Sequence, residues 1–391
     1  MQSPPPLSRS ALPWSAVRAT IIAVATTLLL GGACRIGFDT NAAAVVAPDG
    51  ELDALSDRPP VTPPNRVDAA PDAAPNNISS LLRVAPSEVE VGGDVRNLLI
   101  SGQTMFATST RNAGQIIVYD ISSGTPVQIG QAATAGFARK LALDGQRLYV
   151  TSDTGGDDLE IFDVSNPATP VKLGGIATAD SANGLAIRNG RAYVTSNAIG
   201  DDLEIFDVSN PAVPAKLGGI NLINAEYVNA VAFKGDQLYV AGQRFAAFDV
   251  SNPAAPVSQS DFGFFWYAQD LKIVGNRAYA LEDNNNNSEQ LRIFDLSNPL
   301  APVQIGAGRL FDSYARELQI IGRYAVTVCA PHTFGGGEIE VFDVSGTGLP
   351  PRIANAAIGA DGLAVALQGS RAYVGLANNN GPEILVFDLL P

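Results

Sequence analysis

The 391-residue chain holds two cysteines, Cys34 and Cys329, and a single histidine, His332. Counting alone excludes a disulfide framework, a cysteine-rich zinc site and a multi-histidine metal site. Any Ser-His-Asp device would have to pass through His332. Cys329 and His332 stand three apart, close enough for a thiol and its base, but no third group that would orient the base is in view. Charge is scarce as well: charged residues make up 16% of the chain, and 39 acids against 25 bases leave a net charge of −14. That field repels nucleic acid and anionic lipid head groups, and no Lys/Arg cluster offsets it, so nucleic acid is not among the expected partners. No cofactor motif is present. Loops rich in Asp, Asn and Gly (153–158, 282–289 and 378–381) carry oxygen ligands. They lack the alternate-residue spacing and closing glutamate of a calcium loop, and read as hairpin loops.

Long apolar runs are missing too, with one exception near the start. Residues 1–18 carry Arg9 and Arg18 and no acid, and residues 19–30 (ATIIAVATTLLL) form a twelve-residue apolar run. Gly31, Gly32, Ala33 and Cys34 follow. A positive start, a short apolar core and small residues before a cleavage point describe an export leader, here residues 1–33. Twelve residues fall short of the roughly 20 that a helix needs to span a bilayer. An uncleaved anchor is the alternative. The LLLGGAC stretch resembles the lipobox of bacterial lipoproteins, although Gly31 stands where a leucine is usual and Leu30 lies one step further out. The resemblance implies a lipid on Cys34 and attachment to a bacterial membrane, on its periplasmic or surface face. The alternative is ordinary cleavage near Ala33, leaving Cys34 a free thiol. Cleavage removes two positive charges and leaves the mature chain near −16. Residues 34–80 are rich in Pro, Ala and Asp, with no sustained period. They read as an extended, disordered tether.

From about residue 95 the chain is self-similar. Tyr119-Asp120, Phe162-Asp163, Phe206-Asp207, Phe248-Asp249, Phe294-Asp295, Phe342-Asp343 and Phe387-Asp388 are separated by 43, 44, 42, 46, 48 and 45 residues. Thirteen residues, GDDLEIFDVSNPA, occur identically at 156–168 and 200–212. A glycine recurs in every unit at one offset: Gly102, Gly145, Gly190, Gly235, Gly275, Gly322 and Gly369. In one copy, residues 184–188 form an apolar stretch and Asn189-Gly190 supplies a hairpin turn. Residues 192–196 (AYVTS) form a second strand. Residues 203–208 (LEIFDV) read as a half-buried third strand alternating inward and outward, ended by Ser209-Asn210-Pro211. Residues 215–220 form the fourth. Four-stranded units with a period in the mid-forties predict an all-β, seven-bladed propeller over 81–391. The seventh unit stops after its third strand. Residues 81–91 are therefore expected to supply the missing strand and close the ring, leaving no open sheet edge. A monomer is the expected state.

The units resemble the LVIVD-repeat family of bacterial and archaeal surface propellers, through the strand that here reads LEIFDVSNP. The likeness covers roughly residues 95–391, strongest at units two to five and weakest at the first (IVYDISSG) and sixth (VFDVSGTG). It implies a propeller in the cell envelope and no reaction.

Function must come from what differs between units. The aspartates of Phe-Asp recur in every blade and are read as structural. Aligning the inner strands places Arg96, Arg139, Asn183, Asn229, Gln269, Arg316 and Asp361 in one column, which in a closed ring would circle one mouth of the central channel. Three arginines and three amides there could hold a carboxylate, a phosphate or a sugar. The alternative is simple hydration of a channel mouth. Residues 261–267 (DFGFFWY), with Phe265, Trp266 and Tyr267 at their end, and Phe311 and Tyr314 in the next unit lie on segments entering the same face. They mark either a binding surface for an envelope glycan, peptide or protein, or the lid of the core between two blades. The leading expectation is an envelope-anchored binding scaffold. The alternative is a hydrolase or lyase with its site at the channel mouth.

Overall fold

Each of the first six repeats folds into a four-stranded antiparallel meander, because its two tight turns and one longer loop join neighbouring strands directly. The computed structural model describes residues 77–391 apart from 86, 154–155, 197–200, 223–226, 265–266, 284–289, 309–312, 332–335 and 379. The leader, Cys34 and the tether up to residue 76 lie outside the described residues, as do Phe265, Trp266, Phe311 and His332. Strands run from β1 (Ser80–Arg83) to β28 (Ile384–Leu390) in seven four-stranded sheets. The one helical turn among the described residues is the 3-10 segment Arg111–Ala113.

The seventh sheet shows how the ring shuts. Its order is β1, β28, β27 (Arg371–Leu376), β26 (Gly362–Gln368), so the N-terminal strand supplies the outer position that the C-terminus lacks. Ser80 faces Leu390 and Arg83 faces Phe387 in antiparallel register, and Val89 adds an isolated bridge to Ile384. Pairing Ser80–Arg83 with β28 removes the sheet edge an open ring would expose.

Seven hydrophobic clusters fill the gaps between sheets, one per interface, and the repeated aromatic explains them. Phe162 packs with Phe106, Ile116 and Val118 of the blade before it. Phe206 does the same with Tyr149 and Ile161. Tyr119 closes the circle against Tyr373 and Val386 of blade seven. In every blade the aromatic of the Phe-Asp pair reaches back to the preceding blade. The outer strands make the complementary contact. A methyl added at Gly174 or Gly218 would lie 2.3 Å from the carbonyl of Pro211 or Pro253, so these glycines let the Ser-Asn-Pro turn of the next blade seat against the sheet.

The third strand departs from the half-buried reading. Leu203–Asp207 is buried at four consecutive positions, and Glu160 and Glu204 are 0% and 2% exposed. Both faces of a blade meet neighbouring blades, so alternation marks which neighbour a residue meets rather than core against solvent. The glutamates are satisfied in place. Glu160 accepts a hydrogen bond from the Ala135 N–H at 2.8 Å and pairs with Lys172 Nζ at 2.7 Å. Glu204 does likewise with Ala179 N–H at 2.6 Å and Lys216 at 2.9 Å. These carboxylates tie the connector arriving from the previous blade to the blade it enters.

The recurring glycine opens the hairpin between first and second strands in all seven blades, with φ between +55° and +70°. Four of the positions have open space around a would-be Cβ, so backbone conformation and not crowding demands glycine. The third blade differs: Asn189 also adopts positive φ, at 51°, ahead of Gly190.

Candidate functional site

Each inner strand descends from one face of the ring, so its first residues converge around the central channel. All seven residues of the aligned column do meet there. Arg96, Arg139, Asn183, Asn229, Gln269, Arg316 and Asp361 line one cavity of about 400 Å³, together with Asp94, Lys140, Leu363 and Ala377. One residue comes from each blade, in the order Arg, Arg, Asn, Asn, Gln, Arg, Asp around the circle. The mouth is therefore uneven. Blades six, seven, one and two bring ionic groups, and blades three, four and five bring amides.

The arginines are held by acids at the rim. Arg96 lies 3.3 Å from Asp94 and 3.7 Å from Asp153, and Arg139 shares Asp153 at 3.3 Å. Arg316 lies 3.6 Å from Asp283. Arg139 also donates to the Asn183 carbonyl oxygen at 2.8 Å, and Asn229 donates to the backbone carbonyl of Ala268 at 3.0 Å. The ring is thus pre-set by hydrogen bonds along its circumference, with guanidinium and amide groups about one-third exposed or less toward the cavity.

A second layer lies one residue deeper, and the aligned column does not include it. Asn97, Lys140, Gly184, Asp270 and Glu317 follow the mouth residues directly and line a second space of about 300 Å³ with Leu98, Leu141, Leu185 and Leu271. Lys140 of blade two reaches across the channel to Glu317 of blade six at 3.3 Å. Asn97 donates to the same carboxylate at 2.8 Å, and Lys272 lies 3.0 Å from Asp270. The acceptors also staple blade to blade: Asn97 takes the Leu141 N–H, Asp270 the Leu318 N–H and Glu317 the Val365 N–H, at 3.0, 3.1 and 3.1 Å. Burial pushes the Glu317 carboxyl above its ordinary range, and Lys140 offsets this only in part. Burial works the same way on Asp270, but the Lys272 and Lys140 ammonium groups outweigh it and hold the carboxyl low. Ionic struts of this kind floor the mouth and make it a pocket. A lone Lys or Glu inside an apolar strand run is the signal that could have found them.

The aromatic residues fall in a column of their own, two positions before the mouth. Phe137, Tyr227, Tyr267 and Tyr314 stand there in blades two, four, five and six. Phe137, Tyr227 and Tyr267 are 40%, 45% and 36% exposed. Tyr227 and Tyr267 meet edge to face with centroids 5.4 Å apart. The Arg96 guanidinium lies 5.7 Å over Phe137, and that of Arg316 lies 5.9 Å over Tyr314. Tyr267 and Tyr314 were singled out by the sequence. Phe137 and Tyr227 were not, because each stands alone in its segment and only the ring aligns them. Cys329 is fully buried and donates to the Glu338 carbonyl at 3.3 Å.

The LVIVD repeat model matches residues 135–178, 179–221, 225–262 and 267–307. These matches fall on blades two to five. The matches coincide with the units whose LEIFDVSNP-type strand is best kept. Among solved structures, the chain is similar to Raptor of Chaetomium thermophilum, with a TM-score of 0.59 and 11% identity over 81% of this chain. It spans 29% of that protein's length. It is also similar to a computationally designed protein, with a TM-score of 0.53, 10% identity, 80% of this chain and 99% of that one. BamB from Moraxella catarrhalis follows, with a TM-score of 0.50, 11% identity, 80% of this chain and 97% of that one. Identities this low speak for the fold alone. No curated protein matches the chain at a significant level.

Proposed function

We propose that this chain is an exported, envelope-anchored propeller that works as a binding scaffold, with the channel mouth as its ligand site. The observation that carries the reading is the convergence of seven polar side chains of four kinds, one from each blade, on a single cavity of about 400 Å³. Concave sites with a few fixed polar groups are where small ligands bind. The residues that vary are clustered there, while the repeated residues are spent on blade packing. The anchor is a lipid on Cys34, supported by the leader pattern and the lipobox-like LLLGGAC.

Two experiments test this. A thermal-shift screen of the purified full chain against small carboxylates, phosphates, sugars and short peptides should show at least one class raising Tm. Arg139→Ala should remove that rise, and a flat response to every class would defeat the ligand-site reading. Turnover of a lactone, sulfate ester or glycoside at the mouth would replace it with the enzyme reading. Labelling of cells with radioactive palmitate should mark the protein and fail to mark Cys34→Ala; an unlabelled native chain would remove the anchor.

A further inference from the structure

Resting on the reading of the mouth as a ligand site, we infer that its ligand is an uncharged carbohydrate, taken end-on from a glycan. Charge decides among carboxylate, phosphate and sugar. Every cation lining the mouth is paired with a carboxylate: Arg96 with Asp94, Arg96 and Arg139 together with Asp153, Arg316 with Asp283, and Lys140 with Glu317. Asp361 adds a further acid to the lining. The mouth therefore offers no surplus positive charge, and it sits in a protein of net charge −14. A phosphate or carboxylate entering it would find each cation already ion-paired, with Asp94 and Asp361 in the lining beside them, and would have to give up its own hydration. A neutral polyol meets no such penalty. Ion-paired arginines and aspartates, and the arc Asn183–Asn229–Gln269, present donors and acceptors side by side, which is what adjacent sugar hydroxyls need.

The aromatic column gives the second half of the match. A pyranose is amphipathic: its edge carries hydroxyls and its faces carry C–H groups. Phe137, Tyr227, Tyr267 and Tyr314 stand two residues outward from the polar ring, so an incoming sugar chain passes apolar rings before its terminal unit reaches the amides. A cavity of about 400 Å³ accommodates one to two sugar units, with the collar left for the next. Tyr227 points the same way. Its φ of 63° is a region that bulky side chains rarely occupy, and such strain persists where the side chain is needed in place.

Isothermal titration of the full chain tests this with neutral trisaccharides built from glucose, mannose or N-acetylglucosamine, a galacturonate trisaccharide, and inorganic phosphate. At least one neutral trisaccharide should bind, and its affinity should fall about tenfold in Tyr267→Ala and in Tyr227→Gly. The glycine variant suits the positive φ, so its Tm should hold or rise while binding falls, and loss of affinity cannot be blamed on unfolding. Binding of galacturonate or phosphate without any neutral sugar, abolished by Arg139→Ala, would overturn the carbohydrate assignment and leave the ligand site standing. Sugar binding unchanged in both tyrosine variants would also overturn it. Silence from every probe would defeat the sugar assignment, and with a flat thermal-shift screen the ligand site as well.

Discussion

The two faces of the ring are built by opposite rules. On the hairpin face, blades one to six each place an aspartate that accepts the N–H of the serine two residues on, at 2.8–3.0 Å. The glycine of the first hairpin holds positive φ in all seven. On the mouth face, only polarity is kept all round: the seven entry positions carry four residue types and the collar is aromatic in four blades. Repetition on one face holds neighbours in register, and divergence on the other is affordable because the first face already fixes the strands. By subtraction, the proposed ligand site falls on the mouth face.

The largest expected effect breaks the repeated side. Phe206→Ala removes a fully buried ring between blades two and three and should cost about 3–5 kcal/mol in urea unfolding. A cost under about 1 kcal/mol would mean that the interface can collapse and that the repeated aromatic is not what joins the blades. Next comes Glu317→Leu, which leaves the half-buried Lys140 without its cross-channel partner and should cost about 3 kcal/mol. This layer sits on the mouth face yet is structural, so the variant shows how deep the divergent region runs before packing takes over. A loss of sugar binding with no loss of stability would move Glu317 from the floor into the site itself.

Acid sharpens the comparison further. Asp343 is held at about 2, chiefly by the hydrogen bond from Arg323 and then by Ser345. Backbone and side-chain hydrogen bonds from the following serine lower Asp120, Asp163, Asp207, Asp249 and Asp295 as well. A carboxyl whose folded value lies below its ordinary 3.8 stabilises fully above that value and loses its contribution as pH falls through the folded one. Unfolding curves should therefore be flat near neutrality and fall below about pH 4, and Asp207→Asn should flatten that fall. An unchanged acid profile in Asp207→Asn would show that these caps are not what the ring loses. The smallest effects belong to the mouth: Tyr267→Ala and Arg139→Ala should each shift stability by no more than about 0.5 kcal/mol.

Much of the ring was legible because repetition multiplies weak signals. One Phe-Asp pair says nothing, whereas seven at near-constant spacing with seven hairpin glycines fix strand count, turn positions and the need for a closing strand from residues 81–91. The structure starts that strand at Ser80. The mouth column was legible for the same reason, since alignment of the units is alignment in space. Three things escaped. Burial of Glu160 and Glu204 runs against the alternation because a blade has no solvent face, and a glutamate there is paid for by partners that are distant in sequence. The Lys140–Glu317 strut joins residues 177 apart across the channel, which no local pattern reports. Tyr227 and Phe137 became part of a collar only when the ring placed them beside Tyr267 and Arg96.

The most direct test is paired: thermal unfolding and trisaccharide titration of the native chain, Arg139→Ala and Phe206→Ala. Arg139→Ala should melt with the native chain and lose ligand, and Phe206→Ala should melt far lower. Ligand binding that survives Arg139→Ala, or a mouth variant as unstable as the packing variant, would contradict the division of labour between the two faces.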